Sequence, residues 1–176
     1  VSCPNVSHGG MSVGTDPVAL GRLVRRLRGL TSKPMIVKLS PNVTDIVGIA
    51  RAAVDAGADG LSLINTLVGM RIDIHTGKPI LANRTGGVSG PCIFPIALGF
   101  VWRVRQALPD IPIIGIGGID SAEKALEFLY AGANAVEVGA AALYDPTAPL
   151  RVARELDALL DSRPQLARKL SEGRTW

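Results

Sequence analysis

The sequence predicts an α/β protein built from consecutive parallel strand–helix units, and three observations support this prediction. Short runs of Ile, Val and Leu alternate with amphipathic segments at a period of roughly 25 to 30 residues, as expected of βα units. The chain of 176 residues is 47% hydrophobic but only 4% aromatic, with 20 Gly, a composition typical of parallel α/β proteins. The last two predicted strands both run directly into small residues headed by glycine.

These two strand-to-glycine junctions favour a barrel over an open sheet. Residues 112–116 are followed by Gly117 and Gly118, and residues 135–138 by Gly139 and Ala140. Barrels build phosphate sites from such junctions in their seventh and eighth units, whereas a dinucleotide-binding open sheet carries its glycines after the first strand. We therefore predict a (β/α)8 TIM barrel, of which this chain supplies about the C-terminal half, from the end of strand 4 to helix 8. A doubly wound sheet is the alternative.

The remaining elements follow along residues 1–176, which we expect to form a single domain. Residues 1–4 resemble the end of a strand, 5–15 a loop, and 163–176 a polar tail that frays. Helices are predicted at residues 16–30, 44–57, 95–107, 121–131 and 147–162, and strands at 34–39 and 59–65. Residues 66–89 interrupt this succession of strands and helices. Alternating apolar and polar residues at 70–75 predict a β-hairpin inserted after strand 6.

Composition argues against several classes of function. The net charge is +4, but the basic residues are scattered, which argues against nucleic-acid binding. Two cysteines without a CxxC motif favour a reduced, cytoplasmic protein. The sequence has no apolar run near the ~20 residues of a membrane span. His8 and His75 are too isolated to predict a metal site.

The predicted strand ends carry the candidate functional residues, which are Cys3, Asn5, Lys38, Asn65, Thr66, Gly117, Gly118, Gly139 and Ala140. A thiol at the mouth of a loop can serve as a base, although a lone cysteine is more often a small buried side chain. Lys38 suits a Schiff base, a cation beside an anionic cofactor, or a side chain extending from the barrel rim. Asn65 suits either an amide-type ligand or a turn.

Several of these residues lie in motifs that resemble those of the dihydroorotate dehydrogenases. The motifs are residues 2–6 (SCPNV), 37–45 (VKLSPNVTD), 64–66 (INT) and, most specifically, the stretch 69–91. The resemblance covers nearly all of the chain up to Tyr144. It is closest to class 1B, in which the catalytic chain works with an iron–sulfur flavin subunit and NAD.

The resemblance implies that FMN-dependent oxidation converts dihydroorotate to orotate in pyrimidine biosynthesis. Cys3 would take the C5 proton while C6 delivers hydride to FMN N5. The implied substrate-binding residues are Asn5, Asn65 and Thr66, and the implied cofactor-binding residues are Lys38, Ile64, Gly90, Gly117, Gly118, Gly139 and Ala140. The family usually has Thr at the position of Ala140. No metal is implied on this chain.

The resemblance also implies partners. These are a second copy of the chain in a homodimer and a separate subunit that carries FAD and an iron–sulfur cluster. The family's first three strands would precede Val1, so we expect the chain alone to have open sheet edges and neither to fold stably nor to turn over. Two other hypotheses stay open: a Schiff-base aldolase-like barrel that uses Lys38, and a non-catalytic truncated segment.

Overall fold

The computed structural model describes residues 1–3 and 10–172 of the chain. Its strands are β1 (Ile36–Lys38), β2 (Gly60–Leu63), β3 (Leu67–Met70), β4 (Thr85–Val88), β5 (Ile113–Ile116) and β6 (Ala135–Glu137). Its α-helices are α1 (Met11–Gly14), α2 (Pro17–Arg28), α3 (Ile46–Asp55), α4 (Phe94–Ala107), α5 (Ala122–Ala131), α6 (Ala148–Ser162) and α7 (Pro164–Ser171). Short 3-10 helices, Pro91–Ile93 and Ala140–Leu143, follow β4 and β6.

The main sheet is parallel, and its strands lie in chain order, β1-β2-β5-β6. Helices α2 to α6 also pack on one another in chain order, each against the next. A doubly wound sheet reverses direction after its first strands and carries helices on both faces. The described residues therefore form a singly wound α/β layer, as a partial barrel would, and the alternative of a doubly wound sheet is not observed in them.

The two faces of this sheet differ in burial. Register pairs Val37 with Leu61 and Leu61 with Ile113, so these side chains share a face, and all three are at most 6% exposed. They belong to the core cluster that also contains apolar residues of the helices. Ile36 points to the opposite face and is 52% exposed. The helices thus cover one face, whereas the other is exposed at Ile36 and buried at Ser62 (5% exposed).

The predicted helix starts are confirmed. Asp16 caps α2, because its Oδ1 accepts hydrogen bonds from the N–H groups of Val18 (2.8 Å) and Ala19 (3.2 Å). Asp45 caps α3 by accepting from Val47 and Gly48 in the same way. Each carboxylate satisfies two of the amide donors that a helix start leaves unpaired.

The predicted hairpin forms, but with different strands. Its ends pair as β3 and β4, and β3 includes Met70, whereas residues 71–75 contribute only an isolated bridge between Ile72 and Pro79. The Asp73 carboxylate accepts hydrogen bonds from the N–H groups of His75 (2.8 Å) and Thr76 (3.1 Å). This local turn competes with strand pairing, so alternation alone overestimated the strand.

The two ends of the chain also differ from expectation. Residues 1–3 form no strand, and residue 4 lies outside the described part. The tail that was expected to fray contains α7, where Tyr130 donates a hydrogen bond to the carbonyl of Leu166 (3.1 Å). This tertiary contact stabilises a short helix whose own residues are all at least partly exposed.

Two arginines join the amino ends of the strands. Arg28 donates to the Asp59 carboxylate (2.6 Å) and to the carbonyls of Thr31 and Lys33. Arg105 is 5% exposed and donates to the carbonyls of Gly132 (2.9 Å) and Pro109 and to Asn134 Oδ1 (2.7 Å), besides Leu108.

Candidate active site

The carboxyl ends of the four parallel strands lie along the opposite edge of the sheet. They lead to Lys38 in β1, to Ile64 after β2, to Gly117 and Gly118 after β5, and to Gly139 after β6. Because parallel strands end on the same side, their following loops build one continuous surface. The structure therefore brings most of the predicted site residues to one edge.

The turn after β5 requires glycine at two positions. Gly117 has φ +140° and Gly118 has φ +70°, backbone conformations that L side chains rarely adopt. A Cβ atom on Gly118 would lie 2.8 Å from the Gly90 carbonyl oxygen and 2.8 Å from Phe94 Cβ. A Cβ atom on Gly117 would lie 2.5 Å from Ala97 Cβ and 3.7 Å from Ile64 Cγ1. The turn thus packs against Ile64 and Gly90, two further predicted cofactor residues.

The backbone of these glycine loops has free donors. Within the described part of the chain, the N–H groups of Gly118, Gly139 and Ala140 donate no hydrogen bond. Gly139 has open space where a Cβ would lie, and Ala140 begins a 3-10 helix whose first N–H groups have no intrahelical acceptor. Unpaired N–H groups at neighbouring strand ends can bind an anion such as a phosphate.

Lys38 is half-buried at the end of β1. Among residues 1–3 and 10–172, its ammonium group has neither a hydrogen bond nor an ion pair. Register places Lys38 opposite Ser62, on the sheet face that the helices do not cover. A half-buried cation without a protein counter-ion is suited to an anionic or electron-rich ligand.

Cys3 is held near the end of β2 through its neighbour. Ser2 is 3% exposed, and its Oγ accepts a hydrogen bond from Asn65 Nδ2 (2.8 Å). Asn65 Oδ1 accepts from the N–H of Thr66 (2.7 Å). The Cys3 side chain is exposed and forms no disulfide. This bond brings Cys3, Asn65 and Thr66 together, whereas Asn5 lies outside the described residues.

Asn42 is a structural part of this edge that was not among the predicted site residues, although it lies in the motif of residues 37–45. Its Nδ2 donates to Ser40 Oγ (3.1 Å) and to the carbonyl of Thr66 (3.0 Å), and its Oδ1 accepts from Val68 N–H (2.9 Å). One amide therefore fixes the loop after β1 to the start of the hairpin. Its position three residues after the end of the strand predicted at 34–39 was the signal available in the sequence.

Other site types have no support in the described residues. They contain no group of three or more His, Cys, Asp or Glu side chains that could hold a metal ion. The helices among them are all too short or too polar to cross a membrane. Cys92 is exposed, and its thiol lies 3.7 Å from the carbonyl oxygen of Ser89.

Comparison with known proteins matches the chain to one family. The family model "Dihydroorotate dehydrogenase" matches residues 1–160. A protein of Geobacter sp. (strain M21), named dihydroorotate dehydrogenase B (NAD(+)), catalytic subunit, is 58% identical over 160 residues, covering 91% of this chain and 52% of that relative. A protein of the same name from Bacillus cytotoxicus is 53% identical over 176 residues, covering 100% of this chain and 57% of that relative.

The same name belongs to a protein of Pelobacter propionicus that is 56% identical over 161 residues, covering 92% of this chain and 53% of that relative. The chain thus spans about half the length of the curated relatives it matches. These matches confirm the predicted resemblance, including its NAD-linked class.

Proposed function

The chain belongs to the dihydroorotate dehydrogenase family, and we propose that it is part of an FMN-dependent enzyme that oxidises dihydroorotate to orotate in pyrimidine biosynthesis. The observation that supports this most directly is the edge of the sheet at the carboxyl ends of the strands, where the glycine loops lie. Free N–H groups of Gly118 and Gly139 follow β5 and β6, on the same edge of the sheet as the unpaired Lys38 at the end of β1. A phosphate-bearing, electron-accepting ligand suits such an edge.

In the whole protein we propose a closed (β/α)8 barrel. The helices already form one outer layer in chain order, and the sheet face that carries the exposed Ile36 and the half-buried Lys38 would line the interior. Further strands would have to pair with the free edges of β1 and β6. We therefore expect residues 1–176 alone neither to fold stably nor to turn over, and robust dihydroorotate oxidation by this chain alone would contradict that expectation.

The residues present fit FMN. The N–H groups of Gly118, Gly139 and Ala140 would hold its phosphate, and Ile64 and Gly90 would contact the flavin. Gly90 and Ile64 both pack against the Gly117–Gly118 turn, so cofactor and phosphate residues form one surface. Lys38 would place its positive charge beside the flavin ring, where it favours an anionic reduced form. Bound FMN would supply the acceptor for the hydride that leaves substrate C6.

Cys3 would act as the general base, with its thiolate sulfur taking the proton from substrate C5. A thiolate accepts a proton efficiently near neutral pH when its surroundings hold it at the reacting atom. The bond from Asn65 to Ser2 fixes the chain next to Cys3. Asn5, Asn65 and Thr66 would bind the pyrimidine and its carboxylate, since Asn65 keeps a second amide hydrogen for a ligand.

Ala140 departs from the threonine usual in the family. The missing hydroxyl would remove a donor to the phosphate and cost about 1 kcal/mol of binding. The N–H groups remain as donors.

Partners complete the proposal. The relatives are named catalytic subunits of an NAD(+) enzyme. We propose that the whole protein forms a homodimer and passes electrons to a separate subunit with an iron–sulfur cluster and FAD. A cytoplasmic location belongs to the same proposal, and the two free cysteines are compatible with a reducing compartment.

The proposed function is tested on the full-length protein. We expect it to purify with bound FMN, and dihydroorotate added without oxygen should bleach the flavin absorbance near-stoichiometrically, with orotate as product. An FMN-free protein in which borohydride traps a carbonyl substrate on Lys38 would instead favour the Schiff-base hypothesis.

A further inference from the structure

We propose that Arg151 positions the two glycine loops relative to one another and so sets the affinity for the FMN phosphate without contacting it. This inference rests on the proposed function, because it assigns the anion of that site to FMN. Arg151 lies in the first turns of α6, behind the edge that carries Gly118 and Gly139.

The guanidinium of Arg151 joins the two loops directly. Its Nη2 donates to the Asp120 carbonyl (3.3 Å), which follows Gly118 by two residues. Its Nε donates to the Asp145 carboxylate (3.3 Å), at the end of the segment that starts with Gly139. Its Nη1 donates to both carboxylate oxygens of Glu155 (3.2 and 3.3 Å), one turn further along α6. The planar fork of arginine can hold three acceptors in fixed directions at once.

The two residues that Arg151 holds are fixed within their own loops. Asp120 Oδ1 accepts from Lys124 Nζ (2.7 Å), so the turn after Gly118 is tied to α5. Asp145 Oδ1 accepts from Thr147 Oγ1 (2.6 Å), and Asp145 N–H donates to the carbonyl of Ala141 (2.9 Å). Displacement of either aspartate would therefore carry its glycine loop with it.

The hydrogen bond from Thr147 lowers the pKa of Asp145, and the hydrogen bond from Arg151 lowers this pKa further. Asp145 thus stays charged at neutral pH, and its ion pair with Arg151 persists.

The net charge of the ionic cluster around Arg151 indicates that the cluster positions the loops and does not attract the anion. Lys124 and Arg151 are opposed by three carboxylates, those of Asp120, Asp145 and Glu155, so the cluster has a net charge of −1. A negative cluster does not itself recruit a phosphate. A cation in the first turns of a helix is also disfavoured by the helix dipole. The gain that offsets this lies in holding the free N–H groups of the two loops at a fixed separation.

The test separates phosphate recognition from general folding. Full-length protein stripped of flavin is titrated with FMN and with riboflavin, which has the same ring system but no phosphate. Arg151→Ala should raise the Kd for FMN roughly tenfold or more, the loss expected of a charge-assisted contact, and leave the Kd for riboflavin unchanged. Arg154→Ala removes an exposed arginine of the same helix and should bind both flavins normally.

Arg151→Lys keeps the charge but lacks the planar fork, so an intermediate Kd for FMN is expected. If Arg151→Ala does not fold, the Kd values of Arg151→Lys for FMN and for riboflavin decide whether Arg151 has the positioning role. Unchanged FMN affinity, or equal losses for FMN and riboflavin, would overturn the positioning role. If the unsubstituted protein binds no FMN, the proposed function itself is wrong, and this inference falls with it.

Discussion

The amino and carboxyl ends of the sheet use polar groups in opposite ways. At the amino ends, Arg28 and Arg105 donate to carboxylate, carbonyl and amide oxygens of several segments, and the buried polar atoms there have partners. At the carboxyl ends, Lys38 and the N–H groups of Gly118 and Gly139 have no partner in the described part of the chain. Saturated hydrogen bonding stabilises the fold, whereas unsaturated groups are available to a ligand.

The largest effect at the carboxyl ends of the strands is expected when Cys3 is replaced. In the full-length protein, Cys3→Ala should slow flavin reduction by dihydroorotate by roughly 10²–10⁴-fold, the contribution of a general base. FMN binding and thermal stability should change little, because the thiol is exposed and buries no core surface. Stopped-flow absorbance measures the rate. Cys92→Ala, at the other exposed thiol, is the matched control, and wild-type reduction in Cys3→Ala would contradict the assignment.

A substitution of Arg105, at the amino ends of the strands, should lower stability and leave cofactor binding unchanged. Arg105→Ala should lower the free energy of unfolding by about 3 kcal/mol, because it leaves buried acceptors without their charged donor. The affinity for FMN of the protein that remains folded should stay near normal. Denaturant unfolding of the full-length protein measures the effect, with Arg103→Ala, an exposed arginine of the same helix, as control. If Arg105→Ala loses less unfolding free energy than Arg103→Ala, the structural role assigned to Arg105 is wrong.

A backbone change at the carboxyl end should mainly affect the cofactor. Gly118→Ala places a Cβ 2.8 Å from the Gly90 carbonyl in a positive-φ conformation, a strain of about 1–3 kcal/mol. We expect the strain to distort the turn and weaken FMN binding roughly tenfold or more. Gly99→Ala, where a Cβ meets open space within α4, should leave FMN binding intact. Fluorescence titration with FMN compares the two variants, and equal affinities would show that the turn is not part of the site.

The smallest expected effect concerns acid stability at the amino end. A hydrogen bond from Met35 N–H, and then one from Arg28, lower the pKa of Asp59. Because the folded pKa lies below the unfolded value, this stabilisation is present above the unfolded pKa, near 4, and is lost as the pH falls through the folded pKa. Asp59→Asn should therefore flatten the dependence of the unfolding midpoint on pH below about 4.

Asp157→Asn, at an exposed carboxylate of α6 without a hydrogen bond among the described residues, is the control and should keep the wild-type slope. An unchanged slope in Asp59→Asn would mean that the Arg28–Asp59 pair contributes nothing to acid stability.

The sequence predicted much of the fold, because its signals were local. Helices were predicted to begin at residues 16 and 44, and the carboxylates of Asp16 and Asp45 cap α2 and α3. Predictions failed where another contact outweighed the pattern of residue types. Residues 71–75 lost their predicted strand to a local turn around Asp73, and the polar tail gained α7 through a distant contact with Tyr130.

For the candidate site, strand ends could be found in the sequence because parallel strands all finish at the same edge. Gly117 and Gly118 were identified from their order after a β-branched run. Asn42 and Arg151 were not identified as site residues, because their role depends on partners 24 and 31 residues away along the chain. Contacts between residues so far apart in the chain produce no periodic pattern in the sequence.

By itself, the sequence determined the kind of fold, the family and the chemical groups available at the strand ends. Residue type sets capping, glycine conformation and hydrophobic period, and each of these acts within a few neighbouring residues. Only the tertiary structure decided which groups remain unpaired. Whether an N–H or an ammonium finds an acceptor depends on every segment packed around it, and at Gly118, Gly139 and Lys38 the described segments supply none.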